Sequence, residues 1–371
     1  MFFNTVFLLG AFHGFVLSFV LAGRKVNHFS NRFMGFLMMV FSLDLAMASF
    51  IGFKSYITFP YFIGLDFTIT LLYGPLLFLY AKTLISGQEK LNLQDYLHFA
   101  PFLFLLVYAI PYYALSGEEK IGLISSEYGI AYGPPMITYL KIGISLVYIG
   151  IVLIQIFQYR NKVKDNFSSL DKRNLDWLQW FILGMVILAI VTTTTTFLSS
   201  MFGGDVLYTK INLLGITIYV YSIGYMGLRQ PEFFAKIEFE DTKEDSSPRY
   251  SKSGLDEKTG LELMGRLTEI MTSEKPYINN ELSLSQLSGL VGITTHNLTE
   301  IINSYADKNF YDFVNSYRVE EVKKRITDKK SENLTILGIG LESGFNSKSS
   351  FNSVFKKHTG ITPSEFKKSL S

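Results

Sequence analysis

Seven runs of about 20 mostly apolar residues fill the first 228 positions, and a run of that kind has few structures open to it. Crossing hydrocarbon takes roughly 20 residues of helix. A helix also satisfies its own backbone where no water can. The runs are Phe2–Ala22, Phe33–Phe53, Phe59–Ile85, Tyr96–Leu115, Met136–Tyr159, Trp177–Ser199 and Ile211–Leu228. The third is the least regular, with Asp66 inside it and Gly74-Pro75 near its middle. The fourth holds Pro101 and Pro111, kinks that neighbouring helices can cover. From residue 229 onward the chain is polar, so the overall charged fraction of 18% averages two unlike parts. The predicted fold class is all-α: a polytopic bundle of seven helices over 1–228, an acidic linker over 229–254, a connecting helix over 255–275 and a compact helical domain over 276–371.

Loop charge predicts the orientation. The first run has no basic n-region, and Arg24 and Lys25 follow it, which argues for a retained helix rather than a signal peptide. Arg24, Lys25, Arg32, Lys82, Lys90, Arg160, Lys162, Lys164, Lys172 and Arg173 fall in one set of loops. The other set holds Lys54, Lys120 and Lys210, with Lys141 at a helix edge. The positive-inside rule then puts the N-terminus outside and the C-terminal domain in the cytoplasm. An odd number of spans requires the same.

Polar residues at membrane depth are the candidate signal site. An acid in hydrocarbon is costly, so Asp44 and Asp66 are expected to face the bundle interior. For the central Asp44, a ligand or proton site and a packing hydrogen bond stand level. Asp66 lies nearer the outer end, where packing is favoured. Thr192 to Thr196 are expected to bond back to their own helix carbonyls. The stretch 116–135, with Glu118, Glu119 and Glu127, reads as a solvated loop. With no cysteine, no HExxH and no nucleophile–base pair, no catalytic residue, metal site or cofactor is expected.

The polar part has its own punctuation. Leu261, Met264, Leu267 and Met271 form one helical stripe, suited either to dimerisation or to packing on the following domain. Ser283 and Gln286 form a capping box, opening a helix that buries Leu284, Leu287 and Leu290. Thr294 caps a second helix with Leu298, Ile301 and Ile302 inside. A longer helix follows, burying Phe313, Val314, Tyr317 and Val322. Then comes another pair. Thr335 caps the first member, Gly344 turns with positive φ, Ser347 caps the second, and Phe351, Val354 and Phe355 face inward. Gly360 ends that helix after Lys356, Lys357 and His358, cations suited to a helix C-terminus. Lys348, Ser349, Asn352 and Ser353 lie on its exposed face, short or cationic groups able to reach base edges.

This last segment resembles the DNA-binding domain of the AraC/XylS family of bacterial transcription regulators. The signature is met at Ile339, Gly344, Phe345, Ser347, Phe351, Phe355, Lys356, Gly360, Thr362 and Pro363. Gly340 stands where alanine is usual, which should loosen that helix by about 1 kcal/mol. The resemblance implies two helix-turn-helix units joined by a spacer helix. Tyr311 to Thr327 would run about 25 Å, suiting heads one DNA turn apart, about 34 Å. It places Thr295, His296, Thr299 and Glu300 of the first head toward bases, where the acid at 300 is a departure. Lys323, Lys324, Arg325, Lys329 and Lys330, with Lys356 and Lys357, are placed for phosphates. The implied partners are double-stranded DNA, the lipid bilayer and an unidentified signal, with RNA polymerase and a homodimer as further expectations. The expected location is the bacterial inner membrane. The expected function is a membrane-anchored one-component regulator; the alternative is a transporter or enzyme with a DNA-binding tail.

Overall fold

The computed structural model describes residues 1–25, 27–125, 135–171, 175–203, 205–229, 256–328, 331 and 333–370. Among them the chain is helical throughout, with an isolated bridge between Phe167 and Ser283 but no strand. It divides into two compact units, Met1–Phe157 with Leu175–Ile237, and Gln158–Asn174 with Glu238–Ser371. The second is therefore built from two stretches of chain. The predicted linker, 229–254, lies outside the described residues except for Arg229, as do Glu127, Lys329 and Lys330.

The first unit holds α1 (Phe2–Ala22), α2 (His28–Gly52), α3 (Asp66–Ile69), α4 (Tyr73–Ser86), α5 (Ala100–Tyr113), α6 (Gly117–Ser125), most of α7 (Pro135–Asn166), α8 (Asp176–Phe202) and α9 (Asp205–Arg229). Among the described residues, seven helical stretches, the fifth ending in the second unit, are long and apolar enough to cross a membrane. Small residues bring α1 and α2 together. A Cβ at Gly35 would stand 2.9 Å from the Ser18 carbonyl oxygen. One at Gly14 would stand 2.2 Å from the Ser42 hydroxyl.

Two stretches differ from expectation. The third span is discontinuous, passing through 3-10 turns at Pro60–Phe62 and Thr70–Leu72 around the single turn of α3. Gly74-Pro75 does not break it; these residues start α4, where a proline's missing N–H costs nothing. Residues 117–125 form a helix, α6, rather than loop, and Lys120 is buried with its amine donating to the Tyr113 carbonyl at 3.2 Å. The threonine run behaves as predicted: the Thr193 and Thr195 hydroxyls donate to the carbonyls of Ala189 and Val191, each at 2.7 Å.

The second unit contains α10 (Glu257–Ser273), α11 (Leu284–Val291), α12 (Thr295–Ala306), α13 (Phe310–Thr327), α14 (Ile336–Glu342), α15 (Lys348–Thr359) and α16 (Pro363–Ser369). It has two cores. Leu267, Ile270 and Met271 of α10 join Leu287, Leu298, Ile301, Phe313 and Val314 in the first. The α10 stripe thus packs on the helical domain. Val319, Val322, Ile339, Phe345, Phe351 and Phe355 form the second. The spacer helix α13 supplies one end of its apolar stripe to each core.

Candidate nucleic-acid interface

Each head is a pair of short helices held by caps. In the first, Ser283 and Gln286 close a capping box, Gly292 turns at φ 76°, and the Thr294 hydroxyl accepts from the Asn297 amide at 3.1 Å. In the second, Thr335 accepts from the Gly338 amide at 3.0 Å, Gly344 turns at φ 98°, and Ser347 accepts from the Ser350 amide at 3.1 Å. A glycine is needed at 344 for space as well as conformation, because a Cβ would lie 2.2 Å from the Tyr277 carbonyl. Gly340 also has a reason the sequence reading missed. A Cβ there would meet the Phe351 ring at 2.8 Å, and α14 forms regardless of its glycines.

The exposed faces follow from these caps. Lys348, Ser349 and Ser353 of α15 are exposed and Asn352 is half-buried. Thr295 and His296 of α12 are exposed, with Thr299 and Glu300 half-buried. The Thr299 hydroxyl donates to the Thr295 carbonyl at 2.9 Å within its own helix.

The basic residues separate into two groups. Lys324 and Lys356 are exposed and make no salt bridge among the described residues. Lys323 pairs with Glu320 at 2.7 Å, and Lys357 with Asp312 at 2.6 Å. Arg325 bridges Glu321 at 2.9 Å and Glu342 at 2.8 Å, and these carboxylates hold its guanidinium above the usual range. It ties the spacer helix to α14. His358 is a correction to the reading of a cationic C-terminus: burial lowers its proton affinity below the ordinary imidazole value, and its Nε2 has no hydrogen-bond partner among the described residues.

Sequence reading overlooked Arg318. It is 1% exposed, on the same α13 stripe as Val314 and Val322. Its Nε donates to the Tyr277 carbonyl at 2.8 Å. Nη1 donates to the Ser168 carbonyl at 2.8 Å and to the Asn315 side-chain oxygen at 3.2 Å. Nη2 donates to the Ser168 hydroxyl at 3.0 Å and the Asn279 carbonyl at 2.8 Å. Every donor of the guanidinium fork is therefore used. Burial, only partly offset by Tyr311, pulls it down to about 10. The sequence signal was an arginine four residues from an apolar partner on either side.

In the first unit, the Tyr73 hydroxyl donates to Asp44 Oδ2 at 2.7 Å. Asp66 and Lys141 lie close enough to Asp44 to act on it electrostatically. The Lys141 amine donates to the Phe67 carbonyl and sits 4.1 Å from the Phe67 ring centre. The predicted pair of acids thus belongs to a larger cluster, joined by a tyrosine and a lysine that were not singled out.

Residues 287–369 match the family described as a helix-turn-helix domain, of the AraC type. An HTH-type transcriptional regulator of Staphylococcus aureus (strain COL) is 33% identical over 91 residues, 24% of this chain and 12% of that protein. PqrA of Proteus vulgaris, named as a probable transcription factor, is 27% identical over 89 residues, covering 24% of this chain and 70% of its own length. A regulator encoded upstream of cgkA in Pseudoalteromonas carrageenovora is 27% identical over 92 residues, 25% of this chain and 52% of that protein. These matches cover only the C-terminal quarter, and the chain spans about an eighth of the staphylococcal relative. No solved structure matches. The chain carries a C-terminal AraC-type helix-turn-helix domain, which supports DNA binding and transcription regulation.

Proposed function

We propose that this protein is a membrane-anchored one-component regulator, whose bundle receives a signal and whose cytoplasmic domain binds duplex DNA sequence-specifically. The observation that carries it is the pair of capped helix-turn-helix units sharing α13. Lys348, Ser349, Asn352 and Ser353 of α15, with Thr295, His296 and Thr299 of α12, are the base readers in this proposal. Lys324 and Lys356 lead the phosphate contacts; Lys323 and Lys357 join them by exchanging a surface carboxylate for a phosphate. Arg325 keeps its structural bridge. The orientation draws support from Gln158–Asn174, which groups with the reading domain and carries Lys162 and Lys164 of the basic loop set. Asp44, with Tyr73, Asp66 and Lys141, is the proposed receiving site.

The test uses the full chain in lipid nanodiscs. Affinity for duplexes selected from a random pool should fall steeply with salt. Lys356→Ala should weaken selected and scrambled duplexes alike and flatten the salt slope by about one contact. Absence of DNA binding at low salt defeats the reading. Asp44→Asn should leave that affinity unchanged while altering the transcriptional output in cells. Normal output from a normally inserted Asp44→Asn protein reduces Asp44 to packing.

A further inference from the structure

The stretch after α7 does more than return the chain to the next span. Phe167, Ser168 and Ser169 are 6%, 1% and 5% exposed, unusually dry for a connection between helices. They group with the reading domain in the second unit, and several of their bonds reach it. The Ser168 amide and hydroxyl both donate to the Leu282 carbonyl, at 3.1 and 2.7 Å, just before α11 of the first head. Phe167 bridges to Ser283, the α11 cap. The Ser169 hydroxyl accepts from the Asn346 side chain at 2.6 Å, just before α15 of the second head. Leu170 packs on the second core. Between these points, Asn315 and Arg318 of the spacer donate to the Ser168 carbonyl at 3.2 and 2.8 Å.

We propose that Phe167–Leu170 is a wedge that locks the two reading heads at one separation, and that α7 controls it. The wedge touches each structure that could alter the separation: the start of the first head, the spacer, and the loop that launches the second recognition helix. Arg318 explains why the wedge is seated firmly. Its guanidinium is buried with no salt bridge among the described residues, and both of its Nη groups bond to Ser168. Removing the wedge would leave charged donors in a dry site, a costly state that favours rearrangement of the seam. Asn166 is the last residue of α7, so no flexible spacer separates that helix from Phe167. A shift of the α7 end is thereby a shift of the wedge. This rests on the reading that the domain binds DNA with both heads.

The experiment measures spacing, not just affinity. The full chain in nanodiscs selects duplexes from a random pool, and one base pair is then inserted between the two protected half-sites. The unmodified protein should lose about tenfold in affinity on insertion, the cost of one badly placed contact set. Ser168→Trp, too large for its buried place, should expel the wedge and cut that loss below about threefold. Affinity for the original duplex should change less than the spacing penalty does. Hydrogen exchange at residues 167–170 reports whether the wedge has left, and protection of α11 and α15 reports whether the heads remain folded. If Ser168→Trp does not fold, Ser169→Ala removes the Asn346 bond to the second head, together with a long 3.5 Å local bond from the Asp171 amide, and should still lower the penalty measurably. An expelled wedge with an unchanged penalty overturns the proposal while leaving DNA binding intact. An unmodified chain that binds no DNA overturns the DNA reading and the wedge together.

Discussion

The two reading heads have one architecture and unlike chemistry. Both are a capped pair of helices, turned at a glycine and closed over part of α13. The first turn is roomy: a Cβ on Gly292 would meet only the Arg266 side chain, at 3.4 Å. The second turn is pressed against backbone, 2.2 Å from the Tyr277 carbonyl. The recognition helices differ too. α12 offers threonine, histidine and an acid, while α15 offers Lys348 at its start and Lys356 and Lys357 in its last turn. Fold and outward chemistry are thus separable: caps and buried stripe fix the helix pair, and the outward positions are left free to differ.

The turn glycines give the largest expected contrast. Gly344→Ala combines a left-handed backbone with a backbone clash and should cost on the order of 4 kcal/mol or more, unfolding the second head. Gly292→Ala meets only the conformational penalty, about 1 kcal/mol. Hydrogen exchange of the intact chain reports both, and equal losses in the two heads would refute the distinction drawn from the turns.

A smaller effect distinguishes the recognition helices. Lys348→Ala should cost roughly 1–3 kcal/mol on selected duplexes and little on scrambled ones. Glu300→Gln should cost nothing or tighten binding, since an acid near phosphate is repelled. Comparable losses at both positions would mean that the heads contribute alike.

The smallest difference is in pH response. His358 of the second head is kept neutral by burial, against Asp312, which raises its proton affinity, and Lys357, Lys308 and Lys323, which lower it. A folded-state value below the ordinary one contributes stability that is present above the unfolded value and lost as pH falls through the folded one. Mild acid should therefore loosen α15 before α12, and His358→Phe should remove that order. Amide exchange in the two helices between neutral and mildly acidic pH checks it.

Much was legible in the sequence because the signals are local. Seven apolar runs specify spans through their length alone, and Ser283, Thr294, Thr335, Ser347 and Thr362 each mark a helix start, because an orphan amide lies within reach of a side chain a few residues away. The serine or threonine caps and turn glycines of both heads, and the inward aromatics of the second, are where the pattern put them. Leu290, expected inside the first head, is exposed, because α11 buries Leu284, Leu287 and Val291 instead. What the sequence could not supply is anything that depends on distant residues meeting. The close contact of Gly14 and Gly35 with α2 and α1 needed the helix crossing.

Tertiary structure alone decided the chemistry of the charges. Arg325 and Lys324 are neighbours on one basic run, yet one is locked between the carboxylates of Glu321 and Glu342 and the other is exposed without a salt bridge among the described residues. Asp44 found its tyrosine 29 residues away. Arg318 found Ser168 at a separation of 150 residues. A cap is satisfied within one turn of chain, so its residues can be read in a row. A buried charge must be satisfied by whatever the fold brings to it, and that partner has no fixed place in the sequence.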